Sequence, residues 1–522
     1  MDIKAEDKVE EDTLPIEFVE MQNGGRKGDK SAAFSWHLAV AVFAAVIGSG
    51  FQHGYNTGVV NAPQQLIETW IYDVVTNRSN SSINGDFVGS SEVTAIWSLA
   101  VSMFCIGGMI GGAFTGIIAD RIGRRDGLLW NNLWFLGGAA LQASAKILHT
   151  PEVLWAGRLL SGIGSGLGAG LAPMYLAEIA PVSLRGAIGT VYQLVITLSI
   201  LISQALGLSG ALGSEDLWPL LLGFGLLPAL IQLLTLPWCP ESPSRLAAKG
   251  RKVEAEKALL WLRGDSTTSS ELTTLTTNNH KDLDKPANDV VKTTNEPPTL
   301  SVFRLLKSRL TLVPLMVTCC VMLAQQFSGI NAVMFYSTSV FRSAGLREGE
   351  QARYATLGMG TINVLATIVS LFLVEKLGRR ILLLAGLGGM CINSVGLTAA
   401  LYFASEENTV ASNWAPALSV LLVFSYVTLF AAGPGSIPWF LAGELFDDKS
   451  RPSATTVAVV VNWGANFIVG LGFLPLQEAL GAYVFLVFAG LLALFAIFVY
   501  FKVPETKNKT HAEIQRYFTK QK

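Results

Sequence analysis

Charge is scarce in this chain. Of its 522 residues only 15% are Asp, Glu, Lys or Arg, where soluble domains carry about 25%, so a soluble globular architecture is excluded. Neither sign dominates: 38 basic against 39 acidic side chains leave a net charge of -1. That balance provides no basic excess for nucleic acid. Cysteine is rare too. Cys105, Cys239, Cys319, Cys320 and Cys391 lie in or beside apolar segments, without the spacing of a metal site or a disulfide framework, and read as packing residues. No metal and no cofactor is expected. The N-terminal stretch 1–34, which begins MDIKAEDKVEEDTLPIEF, lacks the basic start and small-residue cleavage site of a secretory signal. It reads as a disordered cytosolic tail.

What the chain has in quantity is apolar. Hydrophobic residues make up 51% of it, with 51 glycines, and they are bunched in runs long enough to cross a bilayer core, which takes about 20 helical residues. Twelve such stretches fall near 36–60, 93–118, 127–147, 152–176, 187–210, 217–238, 312–341, 355–374, 380–403, 415–440, 453–475 and 481–502. They are continuously apolar rather than alternating, which excludes a membrane β-barrel. The predicted fold is an all-α membrane protein of twelve transmembrane helices in two six-helix bundles (35–240 and 310–502), joined by a linker over 241–309 and followed by a tail over 503–522.

An even number of crossings puts both termini on one side. One set of loops carries Arg121, Arg124, Arg125, Arg185, the basic linker, Lys376, Arg379, Arg380, Lys449 and Arg451, against Arg78, Lys146, Arg342, Arg347 and Arg353 on the other. The positive-inside rule makes the termini cytosolic. The loop at 61–92 is then outside, and its sequons at Asn77 and Asn80 are candidate glycosylation sites, while the sequon at Asn508 should stay bare. Within the linker, Lys252 to Arg263 reads as an amphipathic surface helix with Val253, Leu259, Leu260 and Leu262 available for one face. Residues 265–299 are too poor in apolar side chains to fold alone.

The two halves repeat. Asp120-Arg121-Ile122-Gly123-Arg124-Arg125 recurs as Glu375-Lys376-Leu377-Gly378-Arg379-Arg380, 255 residues later. Glu178 and Arg185 recur as Glu444 and Arg451 at an offset of 266, and Pro240-Glu241-Ser242-Pro243 answers Pro504-Glu505-Thr506 at 264. Parallel halves of this kind place a substrate site at their interface near the bilayer midplane. The duplicated charges point to a cytosolic gate in which Glu178, Arg185 and Arg125, and on the other half Glu375, Glu444, Arg379, Arg380 and Arg451, tie helix ends together. The competing reading is topogenic charge alone.

The motifs GYNTGVVNAPQ (54–64), DRIGRR (120–125), GRLLSG (157–162), APMYLAEIAPVSLRG (172–186), PESP (240–243), QQFSGINAVMFYSTSVF (325–341), EKLGRR (375–380), GPGSIPWFLAGELF (433–446), NWGANFIVG (462–470) and VPETK (503–507) together resemble the sugar porters of the major facilitator superfamily, and particularly the animal facilitative glucose transporters. The resemblance implies a plasma-membrane hexose carrier whose partners are the sugar and the surrounding lipid. A hexose presents neutral hydroxyls and C–H faces, so amides and an aromatic surface suit it, and amides avoid the cost of a charge in the bilayer. Carried over from the family, Gln193, Gln325, Gln326, Asn331, Asn363 and Asn462 would bind hydroxyls and Trp439 would cover the sugar. Ile196, Ile200 and Ile330 would line the cavity, with Phe335 and Tyr336 as an outer lid. Asn466 is one more amide in these spans, and fits helix–helix bonding best.

Three departures stand out. The family's sugar-contacting glutamate two residues before Gly-Pro-Gly is Ala431. The Gln-Leu-Ser of glucose-selective members is Met322-Leu323-Ala324, which leaves fructose open. The arginine after PESP is replaced by Ser244, with Arg245 one place along. Rival readings are a proton-coupled symporter, a non-transporting sugar sensor and a channel. Against the symporter, Asn56 stands where symporters that resemble this chain carry aspartate, and an amide cannot exchange a proton near neutral pH. His53 is its one neighbour that titrates there.

Overall fold

A computed structural model of the chain describes residues 35–79, 91–181, 184–264, 302–346, 350–405, 411–446, 450–507, 509 and 511–520. Among these residues helices are the only regular secondary structure. The first 34 residues, the low-complexity 265–299 segment, Asn80 and Asn508 lie outside them.

Twelve helical passes follow one another, grouped as two six-helix bundles. Ten stretches of the described residues are long and apolar enough to cross a membrane. One of these, Ser453–Lys502, holds two passes, Arg451–Leu480 and Val484–Lys502, divided at Gly481 with φ 55°. The remaining pass, Arg124–Leu148, is polar along part of its length. Its amides donate inside the bundle: Asn131 to the Gly164 carbonyl at 2.9 Å, Asn132 to Gln232 Oε1 at 2.9 Å and Gln142 to Ser161 Oγ at 2.9 Å. Polar groups satisfied between helices are tolerated where lipid-facing ones are not.

In the first bundle the fourth pass, Pro151–Ile179, packs between the second, Ser91–Arg121, and the third. In the second bundle the ninth, Arg379–Ser405, packs against the tenth and twelfth. The bundles meet where the second pass lies along the eleventh and the fifth, Arg185–Leu206, along the eighth, Gln351–Leu377.

Among the described residues four passes are broken, one of them the sixth, between Trp218–Gly223 and Leu226–Thr235. The first divides into Trp36–Ile47 and Gly50–Gly58, the seventh into Arg309–Phe327 and Ile330–Ser343, and the tenth into Ala411–Ala432 and Ile437–Glu444. Gly329 in the seventh adopts φ 84°, a left-handed conformation that glycine takes without a Cβ penalty. The Gly433-Pro434-Gly435 sequence opens the tenth, since proline there has no N–H to continue the ladder.

Two expectations are corrected. The segment expected as the loop 61–92 is helical over Gln64–Ser79, because Ile67, Trp70, Ile71 and Val74 recur at helical spacing and are buried. Asn77 is exposed on this helix. In the linker helix Lys252–Arg263 the buried face is Ala255, Ala258, Leu259 and Leu262, and Val253 and Leu260 are exposed. Counting large apolar residues missed the two alanines, which allow close approach and so select the face.

Candidate functional site

The amides of the second bundle form one directed chain. Asn331 donates to Gln326 Oε1, Gln326 donates to Asn462 Oδ1 at 3.0 Å, and Asn462 donates to Gln325 Oε1 at 2.8 Å. Gln325 in turn donates to the carbonyls of Pro434 and Gly435, at 2.8 and 2.7 Å. Those are the carbonyls that the break in the tenth pass leaves without helical partners. Gln325, Gln326 and Asn462 are buried, and Asn331 is half-buried. The chain thus runs from a partly accessible amide on one broken helix to the open backbone of another. Tyr426 of the tenth pass donates to the Ser328 carbonyl at the break in the seventh, so the two interruptions support each other.

Trp439 lies in the short helix beyond the Gly-Pro-Gly break, half-buried and packed on Met322 and Ala458. Gln193 and Ile196 are half-buried on the fifth pass, and Ile200, Ile330 and Asn363 are buried. Phe335 and Tyr336 are fully buried, with Tyr336 at a kink (φ -128°, ψ 16°) and donating to the Gly470 carbonyl at 2.9 Å. The first bundle clamps this kink. Asn61 donates to the Met334 carbonyl at 2.7 Å and to Ser337, and accepts from the Thr338 N–H at 3.0 Å. Gln204, which sequence reasoning did not single out, is buried with neither amide atom hydrogen-bonded. It abuts Gly360 of the eighth pass, and its signal was the eleven-residue spacing from Gln193 on one helix.

In the first bundle Arg158 is fully buried. Its guanidinium donates to the backbone carbonyl of Asn56 at 2.8 Å and lies 4.6 Å from the centre of the Phe104 ring. Among the described residues it forms no ion pair. His53 packs against Phe104 and against Trp463 of the other bundle, ring centres 6.5 and 5.2 Å apart. No group of three or more His, Cys, Asp or Glu among the described residues is placed to hold a metal ion.

The duplicated charges form two matching clusters on the side of the termini, and the pairing expected from sequence is corrected. Glu178 pairs with Arg124 at 3.0 Å and Glu444 with Arg379 at 3.0 Å. Each time the carboxylate takes the first arginine of the pair. Arg125 turns instead to Asp126 and the Cys239 carbonyl, and Arg380 to the Tyr500 carbonyl. Arg451 donates to the Phe446 carbonyl. The side chains of Arg185 and Glu375 lie outside the described residues.

The cause lies in the PES and PET motifs, whose roles the sequence did not show. Glu241 accepts from the N–H groups of Arg124 and Arg125, and Glu505 from those of Arg379 and Arg380, capping the third and ninth passes. Ser242 then donates to Glu178 and Thr506 to Glu444. Burial would raise the Glu505 carboxyl, but N–H bonds from Lys507, Arg379, Arg380 and Thr506 outweigh it and hold the group below its ordinary range. Gly123 (φ 130°) and Gly378 (φ 90°) make both turns, and a Cβ there would stand 2.2 Å and 2.7 Å from the capping carboxylate oxygen. Each cluster lies within one bundle.

Two pseudo-repeated six-helix bundles, with broken and amide-lined helices at their junction, define a membrane transporter of the major facilitator type, not an enzyme. The chain belongs to the sugar (and other) transporter family, whose sequence profile matches residues 41–518. It is 44% identical over 482 residues to the solute carrier family 2, facilitated glucose transporter member 4 of Mus musculus, covering 92% of this chain and 90% of that one. Against facilitated glucose transporter protein 1 of Caenorhabditis elegans it is 41% identical, with 93% and 91% covered. Among solved structures, the proton:xylose symporter XylE bound to 6-bromo-6-deoxy-D-glucose superposes with a TM-score of 0.72 at 25% identity, covering 93% of this chain and all of that one. The inward-open form of the E. coli protein superposes equally well, at 24% identity.

Proposed function

We propose that this protein carries a hexose, D-glucose before fructose, down its concentration gradient by alternating access. The observation that carries the reading is the directed amide chain. Its accessible end, Asn331, stands where a sugar hydroxyl can replace an internal amide bond, and its buried end holds the carbonyls of the broken tenth pass. A sugar that engages Asn331, Gln326 and Gln193 changes the bonding along the chain, and Trp439, just beyond the break, moves with the helix that the chain anchors. The facilitated glucose transporters that match over nine tenths of the chain support the substrate class. Gln325 and Asn462 serve both the sugar and the break, while Asn363, Ile196, Ile200 and Ile330 line the path.

The described hydrogen bonds between bundles gather at the end opposite the termini. Besides the Asn61 clamp, Thr94 donates to Glu478 at 2.6 Å and Arg353 to the Gly213 carbonyl at 3.3 Å. That end is the closed one, with Phe335 and Tyr336 buried beneath it. With the termini cytosolic in the plasma membrane, this is the form open to the cytosol, and the exposed Asn77 lies on the outer side, where the sequons at 77 and 80 would be glycosylated. The charged clusters, each inside one bundle, let the halves rock as rigid bodies while their helix ends supply the cytosolic gate.

Uniport rather than proton symport follows from Arg158, whose partner is a backbone carbonyl and an aromatic face rather than a carboxylate. Counter-flow of labelled glucose and fructose in proteoliposomes tests the reading, with and without an imposed pH gradient. Glucose exchange indifferent to the gradient is expected. Accumulation of glucose above its external concentration, driven by the gradient, overturns uniport, and fructose exchange without glucose exchange overturns the substrate.

A further inference from the structure

We propose that the first bundle binds the phosphorylated headgroup of a phosphoinositide-class lipid in a cavity on the side of the termini, apart from the sugar path. The cavity, open to the surface, spans about 590 Å³, within the range of ligand pockets, about 300–1,000 Å³. Its walls are the end of the sixth pass at Pro237–Cys239, the turn between the second and third passes, and the two linker helices Pro243–Ala248 and Lys252–Arg263.

The lining is basic beyond its own needs. Arg121, Arg125, Arg245, Lys249, Arg251 and Lys257 face three carboxylates, and each carboxylate is already engaged. Asp126 holds Arg125 at 2.7 Å, Glu254 holds Arg251, and Glu241 stands 3.8 Å from Arg245 while capping the third pass. The surplus is positive. Arg245 is the floor, with 7% of its side chain exposed. It donates through Nη2 to the carbonyls of Asp120 and Arg121, and its buried Nε has no hydrogen-bond partner. Beyond the pairs just named the lining keeps Arg121, Lys249 and Lys257, whose charge favours an anionic ligand, and phosphate oxygens suit such basic groups.

The lip decides for a lipid. Trp238, at the last turn of the sixth pass, is 80% exposed, and Trp261 on the linker helix packs tilted against His37 at the start of the first pass, 4.8 Å between ring centres. Tryptophans at the ends of membrane helices sit at headgroup depth, so the cavity opens at that depth. Basic pockets of this kind on the cytosolic face take anionic headgroups. The inference uses the proposed topology for the leaflet, and the test does not.

Native mass spectrometry of the full chain in detergent is run with dioctanoyl phosphatidylinositol 4-phosphate, dioctanoyl phosphatidylcholine and inositol 1,4-bisphosphate. Retention of the phosphoinositide over phosphatidylcholine is expected. Lys249→Gln with Lys257→Gln should lower its occupancy by about tenfold or more, while Arg304→Gln with Lys307→Gln, on the far part of the linker, leaves it unchanged. Undiminished binding in the Lys249/Lys257 variant overturns the site. Inositol bisphosphate bound as tightly as the lipid overturns the lipid assignment. Sugar counter-flow retained by the Lys249/Lys257 variant shows that it is folded, and because the binding is read in detergent its failure leaves the transport reading standing.

Discussion

The choice between adjacent arginines can be tested by a double-mutant cycle at Glu444. Arg379 reaches its Oε1 through two nitrogens, at 3.2 and 3.0 Å, with the side chains 14% and 28% exposed. Hydrogen bonds to charged groups contribute about 1.5–3 kcal/mol and exposed pairs about 0–1 kcal/mol. Partial burial places the Arg379–Glu444 coupling between these, at about 1–2 kcal/mol. Arg380 sends its guanidinium to the Tyr500 carbonyl and lies 5.6 Å from the Tyr500 ring centre, so its coupling to Glu444 should stay below about 0.5 kcal/mol. The variants Arg379→Gln, Arg380→Gln and Glu444→Gln, alone and in pairs, are compared by SDS titration of the purified protein, followed by tryptophan fluorescence. Coupling confined to Arg379 is the expected result. Strong coupling at Arg380 with none at Arg379 would refute the structural pairing and restore the one that sequence alone suggests.

Gly378→Ala should cost about 1–3 kcal/mol in the same titration, through its φ of 90° and the Glu505 oxygen 2.7 Å from the new Cβ, whereas Gly388→Ala, with open space around it, should cost nothing. A matching loss at both positions would rule out the capping argument. At the closed end, burial pushes the Glu68 carboxyl up from 4.5 to about 7, with Glu478 adding to the rise and the Gln64 bond and Arg342 opposing it. A raised acid favours the closed, buried state most below pH 4.5, and that contribution is lost as pH climbs through 7. Distances between labels across the outer ends of the first and seventh passes should therefore lengthen from pH 6 to pH 8 in the parent and not in Glu68→Gln; an unchanged parent would contradict this. Gln193→Ala and Asn331→Ala should each weaken glucose binding by about 1–3 kcal/mol, and Trp439→Leu should slow exchange. Parental counter-flow from all three at equal protein incorporation would displace the site.

Sequence alone determined the class, the passes and the repeat. A bilayer leaves a chain little freedom: each crossing needs about 20 apolar residues with every backbone group bonded internally, so length and hydropathy locate helices that in a soluble protein would depend on packing. Even the third pass, polar along part of its length, was placed from the sequence, as the stretch 127–147. The amides in the spans were visible in the sequence too, as groups expensive in a membrane unless bonded, and their assignment to a sugar came from the family resemblance. What they bond to was not. That Gln325 spends its donor on Pro434 and Gly435, and that the chain of amides runs in one direction from Asn331, depends on two broken helices lying against each other. Only the assembled bundle decides that.

The same holds at the charged helix ends. Both arginines of each pair are equally near the glutamates in sequence, but Gly123 and Gly378 turn the backbone with positive φ, and Glu241 and Glu505 fold back from 116 to 126 residues away to seize the N–H groups there. That capture orients the first arginine toward Glu178 or Glu444 and the second away. The alanine face of the linker helix was decided in the same way, by surfaces distant in the chain that become neighbours only on folding. Local pattern states which groups must be satisfied, and tertiary proximity states by which partner, because a hydrogen bond depends on position in space and not on separation along the chain.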